Sequence, residues 1–429
     1  MKLKPYPKYK ESGVQWIGEV PEEWCLERFK IRFKSKKGKI PENLEELNGE
    51  GYLPYLSMEY LRGKEDGVLF SKDSKSLKVE EGDLLLLWDG SNAGEFISAK
   101  KGFLSSTMVK LSIERMDKPF SKYLCSAFEP MLRALTVGMG IPHVNGDVLG
   151  NIQIPIFEIE NQQKIASFLD LKTSEISKTI EKDKKLIELL KEKRTALINH
   201  VVTKGLNPKA KMKDSGIEWI GKVPEGWEVV PLLKFLESKV DYRGATPEKV
   251  VEGVFLVTGR NIKEGKIDYE LSQEFVLEDQ YKEIMHRGKP QIGDLLFTTE
   301  APLGEVANVD NETVALAQRI IKMRGQKYKL DNYYLKYYIM TALFQRHLQG
   351  YATGSTALGI KASNMCFLRL IVPSLKEQSL IVQYLDKATS KIDNTIQKIE
   401  KKIGLLEEYK KSLIHHVVTG KVDVREAAA

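Results

Sequence analysis

From Gln162 to Thr203, and again from Gln378 to Thr419, apolar residues return at steps of three and four between charged ones, the period of a helical seam. The first seam runs Ile176, Ile180, Ile187, Leu190, Leu197 and Val201; the second runs Ile392, Ile396, Ile399, Ile403, Leu406, Leu413 and Val417. Asp183 and Arg194 interrupt the first, and Lys410 the second. Ser374-Leu-Lys-Glu377 has the form of a capping box, and Gly205 and Gly420 close the two segments. At 1.5 Å per residue, about 40 residues make a rod of roughly 60 Å. Elsewhere the period shortens. Apolar runs at Leu84 to Trp88, Ile152 to Ile156, Leu295 to Thr298 and Arg369 to Val372 sit between Gly and Pro and predict strands. The stretches Tyr123 to Leu135 and Tyr333 to Leu348 predict helix. The expected fold class is therefore α/β in the mixed α+β sense, with two globules and two long helices.

The pattern occurs twice because the sequence does. Lys10 to Trp24 returns as Lys213 to Trp227 with ten of fifteen positions identical, including Trp-Ile-Gly and Val-Pro-Glu. Gly82-Asp-Leu-Leu85 is echoed by Gly293-Asp-Leu-Leu296, and Gly94-Glu95 by Gly304-Glu305. The helical segments then align without a gap, sharing Leu-Asp at 169–170 and 385–386 and His-Val-Val-Thr at 200–203 and 416–419. The middles, roughly 28 to 155 and 232 to 372, diverge. Expected boundaries are a first globule at 1–157, a central helix at 158–205, a second globule at 206–373, a C-terminal helix at 374–421 and a tail at 422–429.

The polar intruders predict how the helices pair. Parallel and in equivalent register, Arg194 would face Lys410 and Asp183 would face Ile399, both unfavourable. Antiparallel, with Ile176 beside Val417, Asp183 meets Lys410, Ile187 meets Leu406, Leu190 meets Ile403, and Arg194 beside Ile399 can snorkel. An antiparallel coiled coil within one chain, with an internal pseudo-two-fold repeat, is the expectation; pairing between two chains is its rival, and a slip of one heptad keeps the direction.

Composition removes whole classes of function. Lys+Arg less Asp+Glu is 66 − 59 = +7, which suits a polyanionic partner. Three cysteines, Cys25, Cys125 and Cys366, form no close pair for a disulfide framework or a Cys-based zinc site. The opening Met1-Lys-Leu-Lys-Pro5 lacks a signal-peptide core and no apolar run approaches a membrane span, so a cytoplasmic location is expected. The sequence contains no Pro-Pro of a base-methylating loop. Gly259 to Ile267 misses a phosphate loop by one residue and ends in Ile. Gly138-Met-Gly140 is no dinucleotide fingerprint, and the histidines form no His-Glu-x-x-His. His415-His416 is read as a surface or capping pair, and Trp16, Trp24, Trp219 and Trp227 as packing residues. No metal site and no catalytic residue is assigned.

What remains is DNA contact from Gly-containing loops of the divergent middles, where Arg, Asn, Gln and Lys can reach base edges or phosphates. In the first globule the candidates are Lys36, Lys37, Lys39, Arg62, Ser91, Asn92, Lys100 and Lys101; in the second they are Arg243, Arg260, Asn261, Gln318 and Arg319.

Taken together, Ser-Gly-Val/Ile-x-Trp-Ile-Gly-x-Val-Pro-x-x-Trp at 12–24 and 215–227, Ile-Pro and Val-Pro at 154–155 and 372–373, and Gln-x-x-Ile with Phe/Tyr-Leu-Asp opening each helix resemble the specificity subunits of type I restriction-modification systems. The resemblance covers essentially the whole chain. It implies two target recognition domains alternating with two helical spacers, in a non-catalytic protein that reads a bipartite, asymmetric site on double-stranded DNA. It further implies that the chain positions DNA methyltransferase subunits and ATP-dependent restriction subunits. No cofactor is expected on this chain; S-adenosylmethionine, ATP and Mg would belong to the partner subunits. Half-sites about one helical turn, ~34 Å, apart would follow from reading one duplex. The alternative is a stand-alone DNA-binding regulator dimerised through its coils, which stoichiometry would separate. A hidden nuclease centre would require magnesium-dependent cleavage by the isolated chain.

Overall fold

The structure is a computed structural model that describes residues 4–46, 49–73, 75–138, 140–242, 247–316, 319–354 and 357–426. The chain divides into two compact units, Met1–Asp183 with Lys401–Ala429, and Lys184–Glu400. Each unit holds one globule and a stretch of both long helices, Ile159–Lys204 and Leu375–Val418. The expected boundaries run between globule and helix; the division into compact units falls inside both helices, after Asp183 and after Glu400, within one residue of repeat-equivalent points at the offset of 216.

In the first unit a four-stranded antiparallel sheet orders Phe33–Lys37, Met108–Ile113, Leu84–Leu87 and Phe96–Ser98. Its central strand is four consecutive leucines, all buried, because both faces are covered: Leu84 and Leu86 face the helix Lys118–Ala134, while Leu85 and Leu87 join Leu56, Val79, Leu104 and Met108. Leu56, Val79 and Leu104 come from a smaller sheet ordered Phe70–Ser71, Leu53–Leu56, Gly102–Leu104, Lys78–Val79. The second unit repeats the order with Leu236–Asp241, Ile320–Gly325, Leu295–Thr299 and Leu303–Asn308. Where one helix was expected over Tyr333 to Leu348, two are present, Asn332–Ile339 and Ala342–Gln349. Thr341 divides them, its hydroxyl accepting from the Phe344 amide as an N-cap.

The repeated opening motif is a clip. In each unit it forms a short hairpin, Tyr9–Glu11 with Glu19–Pro21 and Met212–Asp214 with Lys222–Pro224. Each hairpin delivers a fully buried indole, Trp24 or Trp227. Trp24 stacks on Phe157 at 3.9 Å, and the Trp227 indole donates to Glu377 of the capping box. Trp16 packs edge-on against Phe128. Trp219 is the least enclosed of the four, stacked on His347 but 37% exposed.

The helices pair antiparallel in both units. In the first, Lys402 bonds to Asp183 at 2.8 Å and Lys410 donates to Ser177. In the second, Arg194 meets Asp393 at 3.0 Å. These partners sum to 585, 587 and 587, whereas the expected register sums to 593. The direction is as expected; the register is shifted by about one heptad. Asp183 therefore meets Lys402 in place of Lys410, and Arg194 forms an ion pair instead of snorkelling past Ile399. The shift satisfies a second charge, which the expected register left beside an aliphatic residue.

Candidate nucleic-acid interface

Each globule is built so that a few loops are held rigidly while their side chains differ. The Gly-Asp echo is the first device. Gly82 and Gly293 have positive φ, +83° and +84°, and turn the chain so that Asp83 or Asp294 folds back to accept the amide of Glu80 or Gln291. The same carboxylates take a cation from the neighbouring strand: Lys110 at 2.6 Å from Asp83, and Arg324 at 2.6 Å with Lys322 at 3.3 Å from Asp294. Burial pushes both carboxyls upward, but these cations and amides outweigh it and hold Asp83 and Asp294 below the usual carboxylate range. The Gly-Glu echo is the second device: Glu95 receives Arg62 at 2.7 Å, and Glu305 receives the Glu264 amide at 3.0 Å.

The third device follows the central strand. Asp89 bridges to His143 and Glu300 to Gly359, in loops themselves closed by Val137↔His143 and Thr353↔Gly359. These loops also align at an offset of 216, so the structural repeat runs without a gap from here through both helices. Gly138 and Gly354, φ +127° and +130°, sit at matching places where a Cβ would collide with the carbonyl of residue 141 or 357. The buried Gln162 and Gln378 sew each helix start to its globule, accepting from the amides of Asp117 and Asp331 and donating to the carbonyls of Phe157 and Pro373.

Against this frame the candidates separate. Lys36 and Lys37 end the edge strand Phe33–Lys37 and are exposed; Lys37 pairs with Asp89 at 2.8 Å. Lys39 is exposed just beyond Gly38, where a Cβ would collide with the carbonyls of Leu104 and Ser105. Ser91 is exposed and Asn92 half-buried in the loop after Asp89. Arg62, Lys100 and Lys101 are engaged internally, with Glu95, with the Tyr60 ring at 4.4 Å, and with Glu80 at 3.2 Å. In the second globule Arg260 is exposed, and Arg319, at φ +72°, lies 3.7 Å from Glu300. Arg243 and Gln318 lie outside the described residues.

Asn261, a candidate for DNA contact, is instead a lock on its own loop. It is fully buried; its carbonyl oxygen accepts from the Thr258 amide and hydroxyl, and its amide donates to the carbonyls of Asp268 and Ser272, each at 2.9 Å. With those bonds made, the side chain closes a loop and has nothing to offer a base. The sequence does not separate the two roles, because Arg-Asn after Gly looks the same whether Asn points outward or caps its own turn. Asp89 and Glu300, which share a place after the central strand, carry no sequence motif, and only the strand order brings out their equivalence. His415 bonds to the Trp16 carbonyl and His416 to that of Ser412. Among the described residues, no group of three or more His, Cys, Asp or Glu is placed to hold a metal ion, and no helix is long and apolar enough to cross a membrane.

A family model described as type I restriction modification DNA specificity domain matches residues 21–190 and 224–404. The chain is 32% identical over 431 residues to the type I restriction enzyme MjaVIII specificity subunit of Methanocaldococcus jannaschii, covering 97% of each. It is 25% identical to the putative type I restriction enzyme MjaX specificity subunit of the same organism, over 97% of this chain and 98% of the other. Among solved structures, a chain described under complex assembly and conformational transition of the type I R-M system superposes with a TM-score of 0.69 at 15% identity, covering 93% of this chain and 98% of that one.

Proposed function

Because the chain belongs to the type I restriction modification DNA specificity family, as a specificity subunit that recognises DNA and is not itself a catalyst, we propose that its two globules each read one half of a split, asymmetric sequence. The observation that carries this is the doubled frame. Gly-Asp and Gly-Glu pins, bridge-closed loops and sewn helix starts recur in both units, while the exposed side chains they carry differ: Lys36, Lys37 and Lys39 in one, Arg260 and Arg319 in the other. A constant scaffold with unlike contacts reads unlike sequences.

The helices, which bury their seam against each other, leave long charged faces suited to holding partner proteins. The partners in this reading are methyltransferase subunits and, with them, ATP-dependent restriction subunits; S-adenosylmethionine, ATP and Mg are supplied there. The stand-alone regulator is displaced, since the relatives matched end to end are subunits of an enzyme. The test is co-expression with the methyltransferase encoded beside it, followed by a genome-wide methylation map. A split, non-palindromic motif is expected; one contiguous motif, a perfect palindrome, or failure to co-purify would overturn the proposal.

A further inference from the structure

In both globules the chain leaves the central strand through an acidic residue at the same structural place. The preceding residue, Trp88 or Thr299, donates its amide to the carbonyl of Thr107 or Arg319 and accepts from the amide of Val144 or Ile360. The acid itself, Asp89 or Glu300, bridges the closed loop beyond. The residues that follow, up to the shared Gly-Glu, have diverged: Gly90-Ser-Asn-Ala in one and Ala301-Pro-Leu in the other. The acid persists, one methylene longer in the second globule.

Each acid is held by a cation of different origin. Lys37, from the edge strand, reaches Asp89 at 2.8 Å; Arg319, from the start of the neighbouring strand, stands 3.7 Å from Glu300. Both pairs are half-exposed, with the cations 50% and 49% accessible and the acids 31% and 41%. Such pairs add little to stability and part readily. They differ in this from the enclosed Asp294 cluster, whose carboxylate is 1% accessible. Beside each pair the closed loop presents a large apolar side chain to solvent, Ile141 at 69% and Leu358 at 54% exposure. Ala301 and Arg319, at φ +44° and +72°, hold the second site in backbone conformations that non-glycine residues seldom adopt and that cluster at functional sites.

An ionised carboxylate can only accept hydrogen bonds. Phosphates offer no donor and repel it, so an acid that enters the major groove has one class of productive partner there: the exocyclic amine of cytosine or adenine. The neighbouring cation has the complementary set, phosphate oxygens and the acceptors of guanine. The ion pair therefore neutralises the acid until a duplex supplies a better partner for each member.

We propose that Asp89 and Glu300 are base-reading carboxylates, one per half-site, each masked by its cation in the free protein and exchanged onto a cytosine or adenine amine when the duplex takes Lys37 or Arg319. The apolar tips at Ile141 and Leu358 lie against the same stretch of duplex. This deepens the reading of the globules as DNA-recognition elements and rests on it.

The experiment uses the full chain in complex with its methyltransferase subunits. Methylation motifs are mapped for wild type, Asp89→Ala and Glu300→Ala, and binding is measured on duplexes carrying each base in turn at every recognised position. Asp89→Ala is expected to relax one position of one half-site by roughly tenfold or more and to leave the other half unchanged. Glu300→Ala does the reverse. Asp89→Asn, which gains donors while keeping an acceptor, is expected to shift the base accepted at that position, and it stands in should the alanine variant fail to fold. Variants that keep the full motif, alter the same half-site, or weaken all sequences alike would overturn the proposal. A wild-type complex without a split motif would instead overturn the reading beneath it.

Discussion

At the scale of single residues, Asp83 and Asp294 are each pinned by a backbone amide and a cross-strand cation, Lys110 or Arg324 at 2.6 Å. Gly-Asp-Leu-Leu was legible as a repeat, but its purpose, a carboxylate pinned by an amide and a cross-strand cation, needed the strand order that brings Lys110 or Arg324 alongside. The two copies differ in depth, which sets their pH behaviour. Asp294 is buried with Lys322, itself 3% accessible, and its carboxyl lies below the usual range. A carboxyl lowered in the native state stabilises the fold above its unfolded value, about 4, and that contribution is lost as pH falls through the native value. The second unit is therefore expected to lose stability below about pH 4. Asp294→Asn should cost about 3–5 kcal/mol at neutral pH by stranding the buried Lys322, read as a lowered melting temperature. Asp83→Asn, at a quarter-exposed pair, should cost far less. Asn261 gives a sharper contrast with its neighbour. Asn261→Ala breaks four buried hydrogen bonds and should destabilise by roughly 2–4 kcal/mol, whereas Arg260→Ala should leave melting unchanged and alter only DNA recognition. Equal melting temperatures for the two variants would refute the division between loop lock and exposed contact.

At the scale of elements, seams and directions were more legible than registers. Heptad spacing identifies which face of a helix is buried, and the charges settle direction, because the parallel direction sets Arg194 against Lys410 and Asp183 against Ile399. Register rests on fewer contacts. A shift of seven residues keeps the two seams facing each other and exchanges one aliphatic partner for another at most positions, so the polar partners of Asp183, Arg194 and Lys410 are what separate the two registers. The acid that receives Arg194 is Asp393, beside the seam and outside the list of interrupting residues, so the preference for this register was invisible from seam positions alone. The observed sum of about 586 sets Leu190 level with Ile396, both in the second unit. In a background without native cysteines, Leu190→Cys with Ile396→Cys should crosslink within one chain far faster than Leu190→Cys with Ile403→Cys. Preferential crosslinking to position 403 would restore the register expected from the intruders alone.

At the scale of the whole molecule, the two-copy plan was plain in the sequence, whereas the way the ends of the chain are used was not. The expected tail at 422–429 contains Val424, fully buried in the first unit, and Arg425, which pairs with Glu23 and Asp423 and lies over the Tyr6 ring. The isolated bridge Lys4↔Asp423 brings the first and last described stretches together. At the end of the C-terminal helix, Gly420 is pressed against Pro21 and Trp24, and Lys421 donates to the Glu19 carbonyl. At the end of the central helix, Gly205 is pressed against Trp227, and Lys204 donates to the Lys222 carbonyl. The joint between helix end and opening motif is thus made twice with the same contacts, once through a covalent linker and once without one. If packing makes the joint, the covalent link is interchangeable. A permutant that joins Glu426 to Lys4 through a few Gly and Ser residues, and opens the exposed linker between Asn207 and Pro208, moves the break from one copy of the joint to the other. It should fold with a melting temperature within a few degrees of the parent and methylate the same motif with its methyltransferase partner. A permutant that folds but loses the half-site read by the second globule would show that the covalent linker, and not the Gly205–Trp227 contact, holds that joint.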